Sequence, residues 1–343
     1  MVKVQLHPSA PLAIANYTQT AQFTPEKWNH ITDLCRGLIW NTETEEIVAR
    51  PFPKFWNYND QRHAETLPEN LPTAEPLLTR KEDGSLAILF KNPVNGFYEA
   101  ATRGSFVSEQ AVWATKWVKH RQAWPDSWTP LAEIIYPENR IVIDYRGWSG
   151  LKLLALVDVH TGAELDRETI ELLARHNDME VVPLYNKLLN IAVEEDQENE
   201  EGYVATWPRP NQSPLRVKIK FGTYRKLHKI LTGTSAIGIW ELLRDGKSTA
   251  EIFEHTPEEF KSWVKKTELE LVTKYHDIEH LAQQDFSMRP LCLERKQFAE
   301  YAKSTPHPHL LFSILDGKDL SPAIWKSLRP VGDVRPFKDE ENS

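Results

Sequence analysis

The apolar residues of this chain change their period once, and that change limits what the chain can fold into. Up to Phe221 they come in short runs of strand length, several of them alternating, separated by Pro, Gly, Asn and Asp turns. From about Thr223 onward the strand signals stop and helical spacing takes over, at 236–243, at 257–283 and in shorter helices to about Leu328. Strands first and helices afterwards imply an α+β chain. At 343 residues it is long for one core, so two domains are expected. The change of period places their boundary at Gly233-Thr234-Ser235, giving a first domain of residues 1–234 and a smaller helical domain of residues 235–343.

Composition narrows the possible functions. With 41% apolar and 26% charged residues the chain reads as globular rather than disordered. No apolar run approaches the roughly 18 residues of a spanning helix, and Met1-Val2-Lys3-Val4-Gln5 lacks a signal-peptide core. Cys35 and Cys292 make neither a disulfide framework nor a four-thiolate zinc site, which fits a reducing cytoplasm. A net charge of −8 argues against coating nucleic acid by bulk charge. A local basic groove remains compatible with it, because counterion release depends on the charges at the contact.

The elements of the first domain can be read in order. Thr24-Pro25-Glu26-Lys27-Trp28 reads as an N-cap with proline at the first helical position, opening a helix to about Leu34. Residues 36–40 and 46–50 read as a hairpin, and 51–75 as a loop. That loop holds Phe52-Pro53-Lys54-Phe55-Trp56-Asn57, which is either pinned to the core or a stacking and phosphate site. Asn95-Gly96 turns the chain back into a strand over 97–102 that ends at Arg103-Gly104-Ser105. Ser108 caps a helix to about Gln122, with Trp113 and Trp117 one turn apart and facing the core. Strands are expected over 131–136 and 140–145 about Pro137-Glu138-Asn139, and the apolar run 151–159 reads as a central buried strand. Helices are expected near 166–175 and 186–194. The acidic run 194–201 reads as a solvated loop, except that Glu201 adjoins a strand and so can be held rigidly.

Chemistry concentrates at Thr79-Arg80-Lys81-Glu82-Asp83-Gly84-Ser85. Leu77 and Leu78 before it and 86–90 after it read as strands bounding a turn, which presents Lys81 at the mouth of a sheet. Asp83 lies two residues on, and Gly84 allows close approach of backbone to a bound group. A plain Asp-Gly hairpin is the alternative, and Lys-x-Asp-Gly arises by composition in roughly one chain in ten of this length. The choice between them rests on which partner residues the rest of the chain supplies, and in what order. Residues 216–221 alternate strictly, so Val217, Ile219 and Phe221 face one way while Lys218 and Lys220 face the other. Like charges side by side repel, so the two lysines imply an anion between them or open water around them. Residues 216–229 carry six Lys or Arg and no acid.

Arg36-Gly37, Lys81-x-Asp83-Gly84-Ser85, Arg103-Gly104-Ser105, Glu133 on a strand, Glu201-Gly202-Tyr203-Val204-Ala205 and Lys218-Ile219-Lys220 stand in that order. The set resembles the lysine nucleotidyltransferase superfamily of ligases and capping enzymes. More narrowly, the chain is similar to the RNA ligase 1 family of the T-even phage type. The narrower match rests on Cys35-Arg36-Gly37, Pro53-Lys54-Phe55-Trp56-Asn57, Lys81-Glu82-Asp83-Gly84-Ser85-Leu86, Pro137-Glu138-Asn139-Arg140-Ile141-Val142, and Tyr224 with Leu227-His228, over roughly residues 30–230. The resemblance implies an antiparallel-sheet nucleotidyltransferase (adenylation) domain and an ATP-dependent RNA ligase. Lys81 would be the nucleophile that takes AMP. Arg36, Lys54, Lys218 and Lys220 would hold phosphates, Glu133 the ribose, and Glu201 a magnesium ion through water, with manganese as a substitute. Glu82 and Arg103 would complete the ATP site. The substrate implied is RNA with 5′-phosphate and 3′-hydroxyl ends, in RNA repair with tRNA included, without an obligatory protein partner. Arg103 stands where the family pattern has lysine, which keeps the charge but not the donor geometry. Trp56 stands where phenylalanine is usual. The helical domain matches no motif and is expected to select the RNA.

The residue types suit that chemistry. A free lysine titrates near 10.4, so attack at neutral pH needs a shift of roughly three units, about 4 kcal/mol. Neighbouring cations and a bound metal supply such a shift, and they also stabilise charge on transferring phosphoryl oxygens. Alternative readings are a nicked-duplex ligase or capping guanylyltransferase, and a non-catalytic RNA-binding module that keeps the fold. The intact Lys81, Glu133, Glu201 and Lys218/Lys220 set counts against the last. His276-Asp277-Ile278-Glu279-His280 matches H-x-x-E-H but reads as a solvated helix face. Gly246-Lys247-Ser248 lacks the leading glycine of a phosphate loop, Glu241 standing there. Cys35 reads as a buried structural cysteine.

Overall fold

The two strands that leave the Lys81 turn go to different sheets. In a computed structural model of the chain, residues 1–22, 29–121, 124–250, 256, 258–291 and 294–332 are described. Their strands are β1 (Val2–Leu6), β2 (Leu12–Tyr17), β3 (Arg36–Asn41), β4 (Ile47–Ala49), β5 (Trp56–Asn57), β6 (Leu77–Arg80), β7 (Ser85–Lys91), β8 (Tyr98–Ala101), β9 (Trp128–Ile135), β10 (Gly150–Asp158), β11 (Glu180–Val181), β12 (Leu184–Tyr185), β13 (Gly202–Trp207) and β14 (Leu215–Lys220). They form three sheets, ordered β1-β2-β3-β4, β11-β10-β9-β7-β8 and β12-β6-β13-β14-β5. All pairings are antiparallel except β10 with β11 and β14 with β5. The expected α+β class with antiparallel sheets therefore holds. Because β6 and β7 pair with different neighbours, the hairpin alternative for 79–85 does not.

The middle sheet is buried on both faces, which explains its unbroken apolar runs. Along β7, Ala87 and Leu89 join Ala132, Ile134, Leu151, Leu153, Ile170 and Ala174 in one core. Ile88 and Phe90 point the other way, to Leu12, Ile14, Ile39, Leu131, Ala155 and Val157. The period of two thus sends alternate residues of one strand into separate cores. Each buried Leu, Ile, Val or Phe among them stabilises the fold by about 1.5–3 kcal/mol. Helices α1 (Gln19–Gln22), α2 (His30–Leu34), α3 (Glu109–Val118), α4 (Arg167–His176) and α5 (Leu189–Glu194) fill the connections. Ser108 Oγ accepts from Ala111 N at 3.1 Å and so caps α3 as expected. That helix ends at Val118, and Gln122 lies outside the described residues. The expected cap at Thr24-Pro25 also lies outside them. Helix α2 begins instead at Asn29, whose side chain accepts from Ile31 N and Thr32 N.

Two expectations need correction. No strand forms over 140–145. The backbone N–H groups of Val142 and Ile143 donate to Asp83 Oδ2 at 2.9 and 3.0 Å, and the edge of β9 is taken by β10. Strand β10 is interior but not central, since its other neighbour is the two-residue β11. After β14 the elements among the described residues are helices: α6 (Gly222–Gly233), α7 (Ala236–Arg244), α8 (Glu258–Ser287), α9 (Arg295–Lys303), α10 (Pro308–Leu315) and α11 (Ser321–Ser327). The chain divides into two compact units, Met1–Lys226 and Leu227–Lys338, and the division falls inside α6. The second unit has its own core of Ala282, Phe298, Ala302, Leu310, Leu311 and Ile324. Trp240 Nε1 on α7 donates to the Trp325 carbonyl at 2.8 Å.

Candidate active site

The Lys81 turn is held from both sides. Its backbone N–H donates to the Gly202 carbonyl at 2.9 Å. Its Nζ donates to Glu201 Oε2 at 2.6 Å, and Lys220 Nζ lies 3.2 Å from Glu201 Oε1. Strand register makes this possible: Gly202 pairs with Lys220, and Tyr203 with Arg80. Glu201 is only 2% exposed, so two ammonium groups share one buried carboxylate. Gly202 sits at φ +138°, and a Cβ there would lie 1.9 Å from the Ile219 carbonyl oxygen, so only glycine keeps the strands this close. Gly84 answers a similar constraint. A Cβ on it would lie 2.3 Å from the Ile134 carbonyl oxygen, so the close approach at Gly84 is to β9 rather than to a bound group.

Asp83 locks the turn. Besides the two backbone N–H groups from the 140–145 segment, its carboxylate accepts from Tyr224 Oη at 2.8 Å. Its own N–H donates to Tyr145 Oη at 2.7 Å. Burial raises the Tyr145 phenol far above its ordinary range, with Glu82 and Asp83 adding to the effect, so it stays neutral. With Asp83 satisfied on all sides, the side chain of the turn left to act is Lys81.

Two further carboxylates flank the lysine. Glu133 on β9 lies across from Leu86 on one side and Lys152 on the other. Burial pushes its carboxyl up to about 8; Lys81 opposes this, while Glu201, Asp83 and Glu82 reinforce it. Glu82, next to the nucleophile candidate, is 3% exposed and pairs with Lys152 Nζ at 3.0 Å.

A second group of predicted residues gathers around Tyr17 at the end of β2. Lys54 Nζ donates to Tyr17 Oη at 3.1 Å and Arg103 Nη1 at 3.2 Å. Burial raises the Tyr17 phenol, but Arg103, Lys54 and Arg36 outweigh it and hold the phenol below its ordinary value. The Phe55 ring joins the two groups. Arg36 Cζ lies 5.9 Å and Lys218 Nζ 5.1 Å from its centroid. Lys218 and Lys220 occupy one face of β14, while Val217, Ile219 and Phe221 are buried on the other. Of the twin lysines, Lys220 meets an anion, Glu201. The 52–57 block is pinned at Phe52, which is buried in the core, while Lys54, Phe55 and Trp56 take part in cation–ring contacts. Sequence reasoning missed Tyr17 and Lys152. For Lys152 the one available signal was a lysine inside an otherwise apolar run.

The acidic run is not uniformly solvated. Glu195 accepts from Lys187 Nζ at 2.7 and 2.8 Å and from Tyr203 Oη in a short bond. Asp196 accepts from Thr223 N at 3.0 Å in the first turn of α6. Asn199 and Asp144 exchange two hydrogen bonds, at 2.7 and 3.0 Å. Only parts of the run, such as Glu198, are exposed. Burial pushes the Cys35 thiol up, as befits a structural cysteine; Cys292 lies outside the described residues. His276 lies on α8 with its imidazole 3.5 Å from Glu279. No helix among the described residues is long and apolar enough to cross a membrane.

Comparison with known proteins completes the description of the site. The RNA ligase family model matches residues 34–221, more than half of the chain, a span that contains Arg36, Lys54, Lys81, Glu82, Arg103, Glu133, Glu201, Lys218 and Lys220. A protein of Thermovibrio ammonificans named "Putative RNA ligase" is 28% identical over 215 residues, which is 57% of this chain and 53% of that one. The chain thus matches about half the length of that relative. Among solved structures, an archaeal ATP-dependent RNA ligase is similar at 14% identity over 79% of this chain and 77% of that chain, with a TM-score of 0.46. A Naegleria gruberi RNA ligase mutant with ATP and Mn is similar at 16% identity over 53% and 59% of the two chains, with a TM-score of 0.36.

Proposed function

This chain belongs to the RNA ligase family, and from that premise we propose that it is an ATP-dependent RNA ligase that works through a covalent lysyl-AMP. The Lys81 amine attacks the α-phosphate of ATP, an Nζ–P bond forms, the bond to the β-phosphate oxygen breaks, and pyrophosphate leaves. AMP then passes to an RNA 5′-phosphate, and a 3′-hydroxyl displaces it to seal the strand. The observation that carries the reading is the Lys81–Glu201–Lys220 triad at 2.6 and 3.2 Å, at a turn that Asp83 fixes.

The roles of the remaining residues rest on their charge. Lys220 and Lys218 stand ready to balance charge on the phosphoryl oxygens in the transition state. Arg36, Lys54 and Arg103, gathered on Tyr17, suit the outgoing pyrophosphate. Among the described residues no group of three or more His, Cys, Asp or Glu could hold a metal ion by itself. Magnesium binds through one or two carboxylates and takes its other oxygens from water and substrate phosphates. Glu201 is the carboxylate that would hold it, while Glu133 meets the ribose, and manganese, another oxygen-seeking divalent ion, suits the same donor. Bound there, the ion would neutralise phosphate charge. Before it can attack, the Lys81 amine must give up its proton and its bond to Glu201. RNA with 5′-phosphate and 3′-hydroxyl ends, tRNA included, is the proposed substrate. Residues 1–234 form the adenylation domain and the helical residues 235–343 select the RNA.

The test is incubation with α-labelled ATP and magnesium followed by a denaturing gel. A label on the protein that is stable to denaturation and labile to acid supports the reading. A label from GTP but not from ATP favours a capping enzyme, and no covalent label from either favours a binding module.

A further inference from the structure

The basic stretch 216–229 does not end with the strand that serves the site. On β14, Arg216 pairs with Glu164, Lys220 pairs with Glu201, and Lys218 lies over the Phe55 ring. Arg225, Lys226 and Lys229 follow on α6, and all three are exposed. They form no ion pair among the described residues. At 3.6 residues per turn Lys229 falls between the other two, so the three make one helix face about 100° wide. On the opposite side Tyr224 and Leu231 are buried. No Asp or Glu occurs from residue 216 to residue 240. Elsewhere cations have acids within reach, as Arg167 has Glu171, Lys187 has Glu195 and Arg244 has Asp245. Like charges at i and i+4 destabilise a helix. The face therefore works against the helix that carries it, and calls for an anion from outside.

The start of α6 fixes where that anion lies. The Phe221 N–H donates to the Glu201 carbonyl at 3.0 Å, and Tyr224 Oη donates to the Asp83 carboxylate at 2.8 Å. The helix thus begins against the nucleophile turn. Its cations run outward along the axis, Arg225 next after Tyr224 and Lys229 about 6 Å farther on. The phosphates of ATP have Arg36, Lys54, Arg103 and Lys218 to meet them. A row of exposed cations suits an anion whose charges repeat at intervals, and among the substrates that is RNA. In a chain of net charge −8 such a row also steers a polyanion to this one place. A lipid surface does not fit, because the apolar side of α6 is already buried.

We propose that the Arg225, Lys226 and Lys229 face of α6 binds the phosphate backbone of the RNA next to the end being joined. This rests on the RNA ligase reading above and assigns it an RNA-contacting surface. Contacts to phosphate supply affinity whatever the sequence. The probe is a 5′-phosphorylated single-stranded RNA with a fluorescent label, titrated with the full chain, without ATP, at several salt concentrations. Each phosphate neutralised on a single strand contributes about 0.7 to the slope of log affinity against log salt. Changing Arg225→Gln, Lys226→Gln and Lys229→Gln together should lower that slope by about 2, and weaken binding roughly ten- to a hundredfold near 0.1 M salt. Glutamine matches lysine and arginine in helix propensity. With the like charges gone, the melting temperature should stay or rise. Should the triple variant melt lower, the single variants carry the same test, each with a slope lower by about 0.7.

A second set separates the face from bulk charge. Lys3→Gln, Lys91→Gln and Lys116→Gln together remove the same charge from exposed positions off α6, and should lower the slope far less. Equal losses in the two sets overturn the proposal, and so does a folded α6 variant with the wild-type slope. Polyglutamate of the same charge as the RNA is the third probe. If it binds the wild-type chain as tightly and loses as much in the α6 variant, the face serves an acidic protein and the proposal falls. Lysyl-AMP formation by the wild-type chain is read separately. A chain that makes none but shows the α6-dependent slope binds RNA as proposed, and what fails is the proposed reaction.

Discussion

Glu133→Gln tests the electrostatics of the site in one substitution. The Glu133 carboxyl, ordinarily near 4.5, is pushed up to about 8, with burial the largest cause. The folded chain therefore keeps a proton that the unfolded chain releases near pH 4.5. Between pH 4.5 and 8 the folded state binds more protons, so stability falls as pH rises through this window. The contribution is complete below about pH 4.5 and gone above about pH 8. At about 1.36 kcal/mol per unit the ceiling is roughly 5 kcal/mol. Glu133 is half-buried rather than fully enclosed, so about 2 kcal/mol is the reasonable expectation. For a unit of this size that is a change of roughly 4–8 °C in melting temperature. Glutamine imitates the protonated carboxyl and cannot titrate. Thermal melts of both proteins at about pH 5, 6, 7 and 8 should converge at the acid end, with the wild type falling faster towards the alkaline end. At neutral pH Glu133→Gln should also retain more lysyl-AMP formation than Glu133→Ala. Parallel melting curves across the whole range would refute the raised carboxyl.

The remaining predictions concern the nucleophile and its neighbours. Lys81→Ala should abolish covalent labelling by α-labelled ATP, and wild-type labelling in that variant would mean another residue attacks. Lys218→Ala leaves the buried face of β14 intact, so stability should change by only about half a kcal/mol, whereas Lys220→Ala also removes a partner of the buried Glu201 carboxylate and should cost on the order of 1–3 kcal/mol; in both, single-turnover adenylylation should fall on the order of a hundredfold, and normal adenylylation in both folded variants would turn that strand face towards RNA or solvent. Glu201→Ala should cripple sealing and Glu198→Ala should be silent, whereas Glu195→Ala should lose about 1–2 kcal/mol of stability through Lys187 and Tyr203, read by denaturant melts; equal losses of sealing in all three would point to bulk charge. Truncation after Gly233 keeps α6 whole, and the shortened chain should still form lysyl-AMP while losing selectivity for structured RNA; unchanged selectivity in a folded truncation would move that role into the first unit.

Residues close in sequence, or set by the period of a strand or helix, were legible before the structure was known. The twin lysines of β14, the helical run after Phe221 and the Ser108 cap each depend on neighbours within a few positions. The order of Lys81, Glu133, Glu201 and Lys218/Lys220 could be read because it is a property of the chain itself. The 140–145 segment could not. Its apolar alternation is that of a strand, but its backbone donors go to Asp83, a side chain far earlier in the chain. Glu195 looked like one more solvated acid because Lys187 and Tyr203 reach it from other elements. Tyr17 and Lys152 carry no local mark of function beyond the break that Lys152 makes in an apolar run. Tyr17 becomes a meeting point for Lys54 and Arg103 only when β2 closes against distant segments, and Lys152 gains Glu82 only through strand register. The sequence by itself determines which residues lie on one side of a strand or helix and in what order they come. Which charges face one another, and so which protons and hydrogen bonds the site holds, is decided by tertiary packing, because electrostatic interactions depend on distance and burial rather than on position along the chain.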